Sequence, residues 1–123
     1  MTDFEPPKSR AELRKRLYFF TLKLIEFIDL LPKDNVSQRI GDELFSSGTS
    51  VISNYIEGQA AITKKAMTEF MLEAIKCTNE AKLWLALLRD SKRANQQKVK
   101  WFLDELDELS QILASLINSK EKL

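Results

Sequence analysis

The sequence predicts an all-α protein, folded as an antiparallel up-down-up-down bundle of four helices. Apolar residues recur at intervals of three and four through four long segments, and short polar stretches separate these segments. No segment alternates apolar and polar residues as a half-buried strand does. The chain has 123 residues, 44% of them hydrophobic and 30% charged, so a single domain with one core is expected.

The first helix is expected over residues 10–31, in a bundle domain of residues 9–118. Ser9 is a suitable N-cap, Glu12 completes a capping box, and Pro32 ends the helix. We expect a loosely ordered tail over residues 1–8 and a frayed C-terminus over residues 119–123. The central apolar stripe of this helix comprises Leu13, Leu17, Phe20, Leu24, Phe27 and Leu31.

The other three helices are bounded by capping residues and polar connections. The second is expected from Asp34 or Asn35 to Gly58, where glycine would end it. Its middle, residues 46–50, is small and polar, which permits close helix approach but weakens helix propensity. The third is expected over residues 64–89 after the N-cap Thr63, with small Ala74, Thr78 and Ala81 packed on the second. The fourth is expected over residues 95–118, with the stripe Val99, Phe102, Leu106, Leu109, Leu113 and Leu116.

A row of polar residues follows one face of the second helix. Ser50, Asn54 and Glu57 are spaced i, i+4 and i+7, and apolar stripes flank them on both sides. Since buried polar groups need partners, we predict a structural polar network that fixes helix register, with Arg39 and Glu80 as further members. A ligand or catalytic site is the alternative interpretation of the row.

The same stretch carries a resemblance to a known family. Ser50, Asn54, Glu57 and Gly58 fit the pattern S-x-x-x-N-x-x-E-G. This resembles the four-helix bundle family of ribosomal-RNA intervening-sequence proteins, which includes the accessory variability determinant of diversity-generating retroelements. The resemblance implies a homopentameric ring with a central pore. It extends over roughly residues 17–116 through Leu31-Pro32, Arg39, Gly41-Asp42, Phe70, Glu80 and Trp84-Leu85.

The width of the apolar stripe on the first helix predicts self-association. Tyr18, Phe19, Leu22, Ile25 and Ile28 widen it beyond what one bundle core requires. Trp101 also falls off the seam of the fourth helix, as a surface or interface aromatic would. Excess apolar surface favours a subunit interface, although it does not give the number of subunits.

Two basic clusters are the candidate nucleic-acid-binding residues. An antiparallel bundle would place them at opposite ends, and a ring would repeat each of them. The net charge is only +1, so the chain as a whole has no strong attraction for nucleic acid, and a solvated surface of mixed sign is the alternative. The first cluster is Lys8, Arg10, Arg14, Lys15 and Arg16, and the second is Lys92, Arg93, Lys98 and Lys100.

Several kinds of chemistry are missing from the sequence, and we expect no enzyme, no cofactor and no metal. Histidine is absent, and the three glycines do not form a phosphate-binding loop. Cys77, the single cysteine, is interpreted as a small core residue of a cytoplasmic protein. A carboxylate site on Glu57 and Glu80 is a remote alternative. Residues 17–31 are too polar and too short to span a membrane.

The expected function follows from the resemblance. It implies a non-enzymatic accessory protein that binds RNA or DNA, acting beside the reverse transcriptase of a diversity-generating retroelement. The alternative is a protein-interaction scaffold, encoded in a ribosomal-RNA intervening sequence, with no nucleic-acid role.

Overall fold

The computed structural model describes residues 10–118, which form four antiparallel helices and no strand. Each helix packs against its neighbours in the chain, and α1 closes the bundle against α4, which confirms the predicted four-helix bundle. The predicted tail of residues 1–8, the Ser9 cap and the C-terminal residues 119–123 lie outside the described residues. The helices are α1 (Arg10–Asp29), α2 (Asn35–Ala60), α3 (Lys64–Asp90) and α4 (Gln96–Asn118).

Side-chain caps fix where three of the helices begin. Asp34 accepts a hydrogen bond from the Ser37 N–H at 3.1 Å, and Thr63 accepts one from the Ala66 N–H at 3.1 Å. Asn95 accepts a hydrogen bond from the Lys98 N–H at 3.0 Å, so it is the capping residue before α4 and not the first residue of that helix. The hydroxyl and the backbone N–H of Ser37 both donate to the Asp34 carboxylate, which lowers the pKa of Asp34.

Two predicted helix ends are wrong. α1 ends at Asp29, because the Leu30 and Leu31 N–H groups donate to carbonyls three residues back, at 3.2 and 3.1 Å. α2 passes through Gly58 and ends at Ala60, and no glycine in residues 10–118 has a positive φ. Gly58 serves packing instead, since a Cβ there would collide with the Met71 side chain and lie 3.1 Å from the Phe70 Cβ.

The size of the side chains sets how closely the helices approach. α2 and α3 are the most intimately packed pair, with the small residues Ala74, Thr78 and Ala81 all buried, as predicted. Gly48 does not join them, because it faces Leu24 of α1. α1 and α4 are the loosest pair, and aromatic rings fill the space between them. The predicted α1 and α4 stripes are buried throughout.

Candidate interaction surfaces

The polar row of α2 is not a buried network in the single chain. Ser50 and Asn54 are half-buried and Glu57 is exposed. The Ser50 hydroxyl donates to the Ser46 carbonyl at 2.7 Å, and the Asn54 amide donates to the Ser50 carbonyl at 2.8 Å, so both are satisfied within α2. The buried side of α2 carries Val51, Tyr55 and Gly58, and the row lies at the edge of that side, which explains its partial exposure.

Arg39 and Glu80, the other predicted members of the network, are both exposed. Among residues 10–118, no hydrogen bond connects either of them to the row. No group of three or more potential metal ligands occurs in these residues, so Glu57 and Glu80 are not joined by a third ligand.

Cys77 of α3 lies behind this row and is buried, as predicted for a small core residue. Its Sγ is 4.0 Å from the Asn54 amide nitrogen. Burial, with a smaller contribution from Glu73 and Glu80, raises the pKa of the Cys77 thiol. Since the thiolate is the nucleophile, this thiol is held in its unreactive form.

Of the first basic cluster, Arg14 and Lys15 are exposed and have no carboxylate partner within residues 10–118. Arg16 is committed elsewhere. Its guanidinium donates to both carboxylate oxygens of Glu105, at 2.8 and 2.9 Å, and to Glu108 at 2.5 Å. These hydrogen bonds raise the pKa of Arg16 and tie α1 to α4. Arg16 is therefore held in ion pairs with two carboxylates, and a phosphate could bind it only by displacing them.

The rest of this end of the bundle adds further charge. Arg10 is exposed and makes a contact of its own, and Lys8 lies outside the described residues. α3 begins at the end where α1 begins, so Lys64 and Lys65 join the cluster. These two lysines were not predicted as part of the cluster, although the antiparallel order of the helices is sufficient to place them there.

The second basic cluster is at the other end of the bundle. Opposite ends follow from the antiparallel pairing in which Phe27 of α1 meets Phe102 of α4, with ring centroids 5.1 Å apart. Arg93 pairs with Asp34 at 3.5 Å, and Lys100 pairs with Asp104 at 2.7 Å. Two further members of the cluster, Lys92 and Lys98, are exposed without a carboxylate partner in the part of the chain described.

An apolar face runs along α1 and α2 on the outside of the bundle. Tyr18, Leu22 and Ile25 of α1 are 60, 48 and 37% exposed, and their spacing puts them on one side of the helix. On α2, Phe45 and Ile56 are also exposed. Leu24 of α1 faces Gly48 of α2, so the two helices that carry these residues pack side by side. We call these five residues the α1–α2 face.

A second apolar surface is a groove between α1 and α4, with a volume of about 730 Å³. Trp101 and Phe19, from opposite walls, meet edge to face with ring centroids 6.4 Å apart. Trp101 was predicted to be a surface or interface aromatic and Phe19 to belong to the wide stripe of α1, but their meeting was not predicted, because nothing local brings α1 beside the start of α4. We call the lining residues the aromatic groove: Phe19, Lys23, Glu26, Phe27, Asp29, Leu30, Lys98, Trp101 and Phe102.

These features define an all-helical bundle that carries charged ends and two apolar surfaces. No helix among the described residues has the length and apolar character needed to cross a membrane. A family model described as 23S rRNA-intervening sequence protein matches residues 10–115, and the chain belongs to this family. No curated protein matches the chain.

A solved structure shares this fold. It is the crystal structure, at 1.70 Å resolution, of a protein of unknown function from the S23 ribosomal protein family of Bacteroides thetaiotaomicron. The TM-score is 0.81 at 20% identity, and the match covers 87% of this chain and 99% of that one. At this identity the likeness shows the bundle fold alone.

Proposed function

We propose that this chain is a non-enzymatic accessory protein that self-associates and binds nucleic acid through the charged ends of its bundle. The proposal rests on which cations at the start of α1 lack a carboxylate partner. Arg14 and Lys15 are exposed and have no carboxylate partner among the described residues, whereas Arg16 beside them is bound to two. Unpaired exposed cations are the groups that phosphates neutralise on binding.

Self-association is proposed on the α1–α2 face. Monomeric proteins rarely expose contiguous apolar patches of more than a few hundred Å². Here five exposed apolar side chains lie on two helices that pack side by side, and a second copy that covered them would remove them from water. The number of copies, five in a ring, is adopted from the family resemblance. A ring would repeat each pair of cations around its axis, which offsets the small net charge of one chain.

The resemblance to the accessory variability determinant adds a reverse transcriptase as the proposed protein partner. In that role the ring would hold nucleic acid close to the polymerase. A scaffold without nucleic-acid binding is the competing function, and the two differ in one measurable property.

Fluorescence anisotropy of a labelled structured RNA and a labelled DNA, at low and physiological salt, tests the binding. We expect affinity that falls steeply with salt, and we expect Arg14→Glu and Lys15→Glu each to reduce the slope of log Kd against log salt by about 1. Lys76→Glu is the control, because Lys76 is also exposed but is paired with Glu73 at 3.6 Å, and it lies on α3, which does not pack against α1. Absence of binding at low salt would support the scaffold function.

Light scattering coupled to gel filtration tests assembly separately. Leu22→Glu should reduce the mass to that of the monomer, because a carboxylate would be buried in the α1–α2 face. Lys76→Glu should leave the mass unchanged. A monomeric wild-type protein at micromolar concentration would contradict self-association while leaving the binding test intact.

A further inference from the structure

We infer that the aromatic groove binds unpaired bases, so that the preferred ligand of this protein is single-stranded nucleic acid and not a duplex. This inference rests on the proposed nucleic-acid binding, to which it adds the class of ligand and the site. It depends on a juxtaposition of aromatic and basic side chains from α1 and α4 that only the fold creates.

The groove exists because large rings separate α1 from α4. Phe20 and Phe27 of α1 both pack against Phe102 of α4, with centroid distances of 5.8 and 5.1 Å. These rings fill the centre of the contact and leave the outer part open. The resulting volume of about 730 Å³ lies within the range of roughly 300–1,000 Å³ typical of small-molecule sites. A nucleobase with its sugar fits in a space of this size.

Two exposed rings offer stacking surfaces in the groove. Trp101 is 40% exposed, and its inner side lies nearly parallel to the buried Phe20 ring, at 18° and 6.4 Å between centroids. Phe102 contacts it edge-on at 5.0 Å, so the indole is held in one orientation. Phe19 is 53% exposed beside it. A preorganised aromatic platform of this kind contributes roughly 5- to 150-fold in affinity per stacked base.

Cations lie on both walls of the groove. The Lys23 ammonium lies 5.7 Å from the centroid of the Phe19 ring, and Lys98 approaches from α4. Neither lysine is in an ion pair among the described residues. Phosphates flanking a stacked base carry the charge that these two ammonium groups can neutralise.

The carboxylates of the groove favour bases over duplex backbone. Glu26 and Asp29 also line it, on the α1 wall. They repel phosphates, but a carboxylate accepts hydrogen bonds from the amino groups of cytosine, adenine or guanine. Only an unpaired base offers its faces together with its Watson–Crick edge, since in a duplex the faces are buried in the stack and that edge in the base pair, and only the groove edges remain exposed. The mixed charge of the groove therefore matches an unstacked single strand.

Competition binding tests the ligand class. A labelled single-stranded RNA of mixed sequence is displaced by unlabelled single strand or by the perfect duplex of the same sequence. We expect the duplex to compete at least about 10-fold less well than the single strand. Intrinsic tryptophan fluorescence should be quenched by the single strand as a base stacks on the indole.

Substitutions in the groove locate the site. Trp101→Ala should weaken single-strand binding by about 10-fold or more, while Trp101→Phe should retain most of the affinity because the stacking surface remains. Since Trp101→Ala also removes packing against Phe20, the exposed variant Lys23→Glu provides a second test that does not touch the core. Lys23 lies outside both basic clusters, so weaker binding by Lys23→Glu points to the groove, whereas Lys98 also belongs to the second cluster and Lys98→Glu should weaken binding in either case. Lys76→Glu should leave binding unchanged.

The outcomes separate this inference from the proposed function. If binding is insensitive to Trp101→Ala and Lys23→Glu but is lost with Arg14→Glu and Lys15→Glu, nucleic-acid binding stands and the groove assignment is wrong. Equal competition by duplex and single strand would overturn the ligand class. If Lys23→Glu and Lys98→Glu dissociate the oligomer, the groove is a subunit contact and the inference fails. No binding of any nucleic acid at low salt would contradict both the groove assignment and the proposed nucleic-acid binding.

Discussion

The hydroxyl of Tyr55 provides a sharp test of the core. Tyr55 is fully buried, and its hydroxyl oxygen is buried without a hydrogen-bond partner among the described residues. An unsatisfied buried polar group costs about 1–3 kcal/mol. Tyr55→Phe removes that cost and leaves a void of roughly one oxygen atom, which costs only a few tenths of a kcal/mol at about 24 cal/mol per Å³. We therefore expect the variant to be more stable by about 1 kcal/mol, with Tm higher by roughly 4 °C.

Alkaline pH should enlarge this difference. Burial raises the pKa of Tyr55, with Arg14 and Arg10 opposing the shift less strongly. Because the folded-state pKa is above the unfolded value, the stability linked to this group is complete below about pH 10 and is lost as pH rises through the folded pKa. Phenylalanine has no such loss, so the advantage of the variant should grow above about pH 10.

Urea unfolding at equal protein concentration, followed by circular dichroism at pH 7 and at pH values around 10, measures both effects. Tyr18→Phe is the matched control in dilute, monomeric protein, because the Tyr18 side chain is largely exposed in the single chain and its variant should change the free energy of unfolding by less than about 0.5 kcal/mol. A Tyr55→Phe variant that is less stable than the wild type at pH 7 would refute the reasoning, since it would mean that the hydroxyl is paired.

Three further substitutions test the packing. Arg16→Met should lower the free energy of unfolding by about 1–3 kcal/mol, because it leaves two partly buried carboxylates facing each other without a cation. Its control, Lys100→Met, should lower it by less than about 0.5 kcal/mol, since the ion pair of Lys100 is exposed. Gly58→Val should lower the free energy of unfolding by about 2 kcal/mol or more through overpacking against α3, although valine has a higher helix propensity than glycine. Ala60→Val, at the exposed end of the same helix, should lower it by less than about 1 kcal/mol. Asn54→Leu should cost less than about 1 kcal/mol in the single chain, because Asn54 bonds only within α2 and weakly to Cys77.

Thermal and urea unfolding of dilute protein measure the change in the free energy of unfolding for each of the three substitutions. Equal losses in the Arg16 and Lys100 variants would mean that burial adds nothing to the first ion pair. Equal losses in the Gly58 and Ala60 variants would remove close packing as the reason for the glycine. For Asn54, a large loss confined to the oligomer would indicate that assembly buries the polar row, whereas a large loss in the monomer would contradict the hydrogen bonds seen here.

The core stripes, two helix caps and the position of Trp101 could be predicted from the sequence, because they depend on local spacing. The stripe from Leu13 to Leu31 and the stripe from Val99 to Leu116 are both buried, since residues three and four apart share a face of any helix. The caps Asp34 and Thr63 were likewise local, because each accepts a hydrogen bond from a residue three positions on. The off-seam position of Trp101 also followed from spacing alone.

Other predictions failed where several helices decide the result. Apolar residues on both sides of Ser50, Asn54 and Glu57 suggested burial, but the helices contact α2 along its Val51 and Tyr55 side and leave the row at the rim. Gly58 was assigned to a helix end on local grounds, whereas its neighbours on α3 explain it. Arg16 belonged to a basic cluster in the sequence and belongs to an ion pair in the fold.

The number of helices, their approximate bounds, the central core stripes and the excess of apolar residues on α1 could all be predicted from the amino-acid sequence. Those properties follow from spacing within one helix. Which cations remain unpaired and which aromatic rings meet depends on how the four helices pack together. Arg16 and Glu105 are 89 positions apart, and Phe19 and Trp101 come from opposite ends of the chain. Such pairs are set by how helices pack across the bundle, which helical spacing within one segment does not encode.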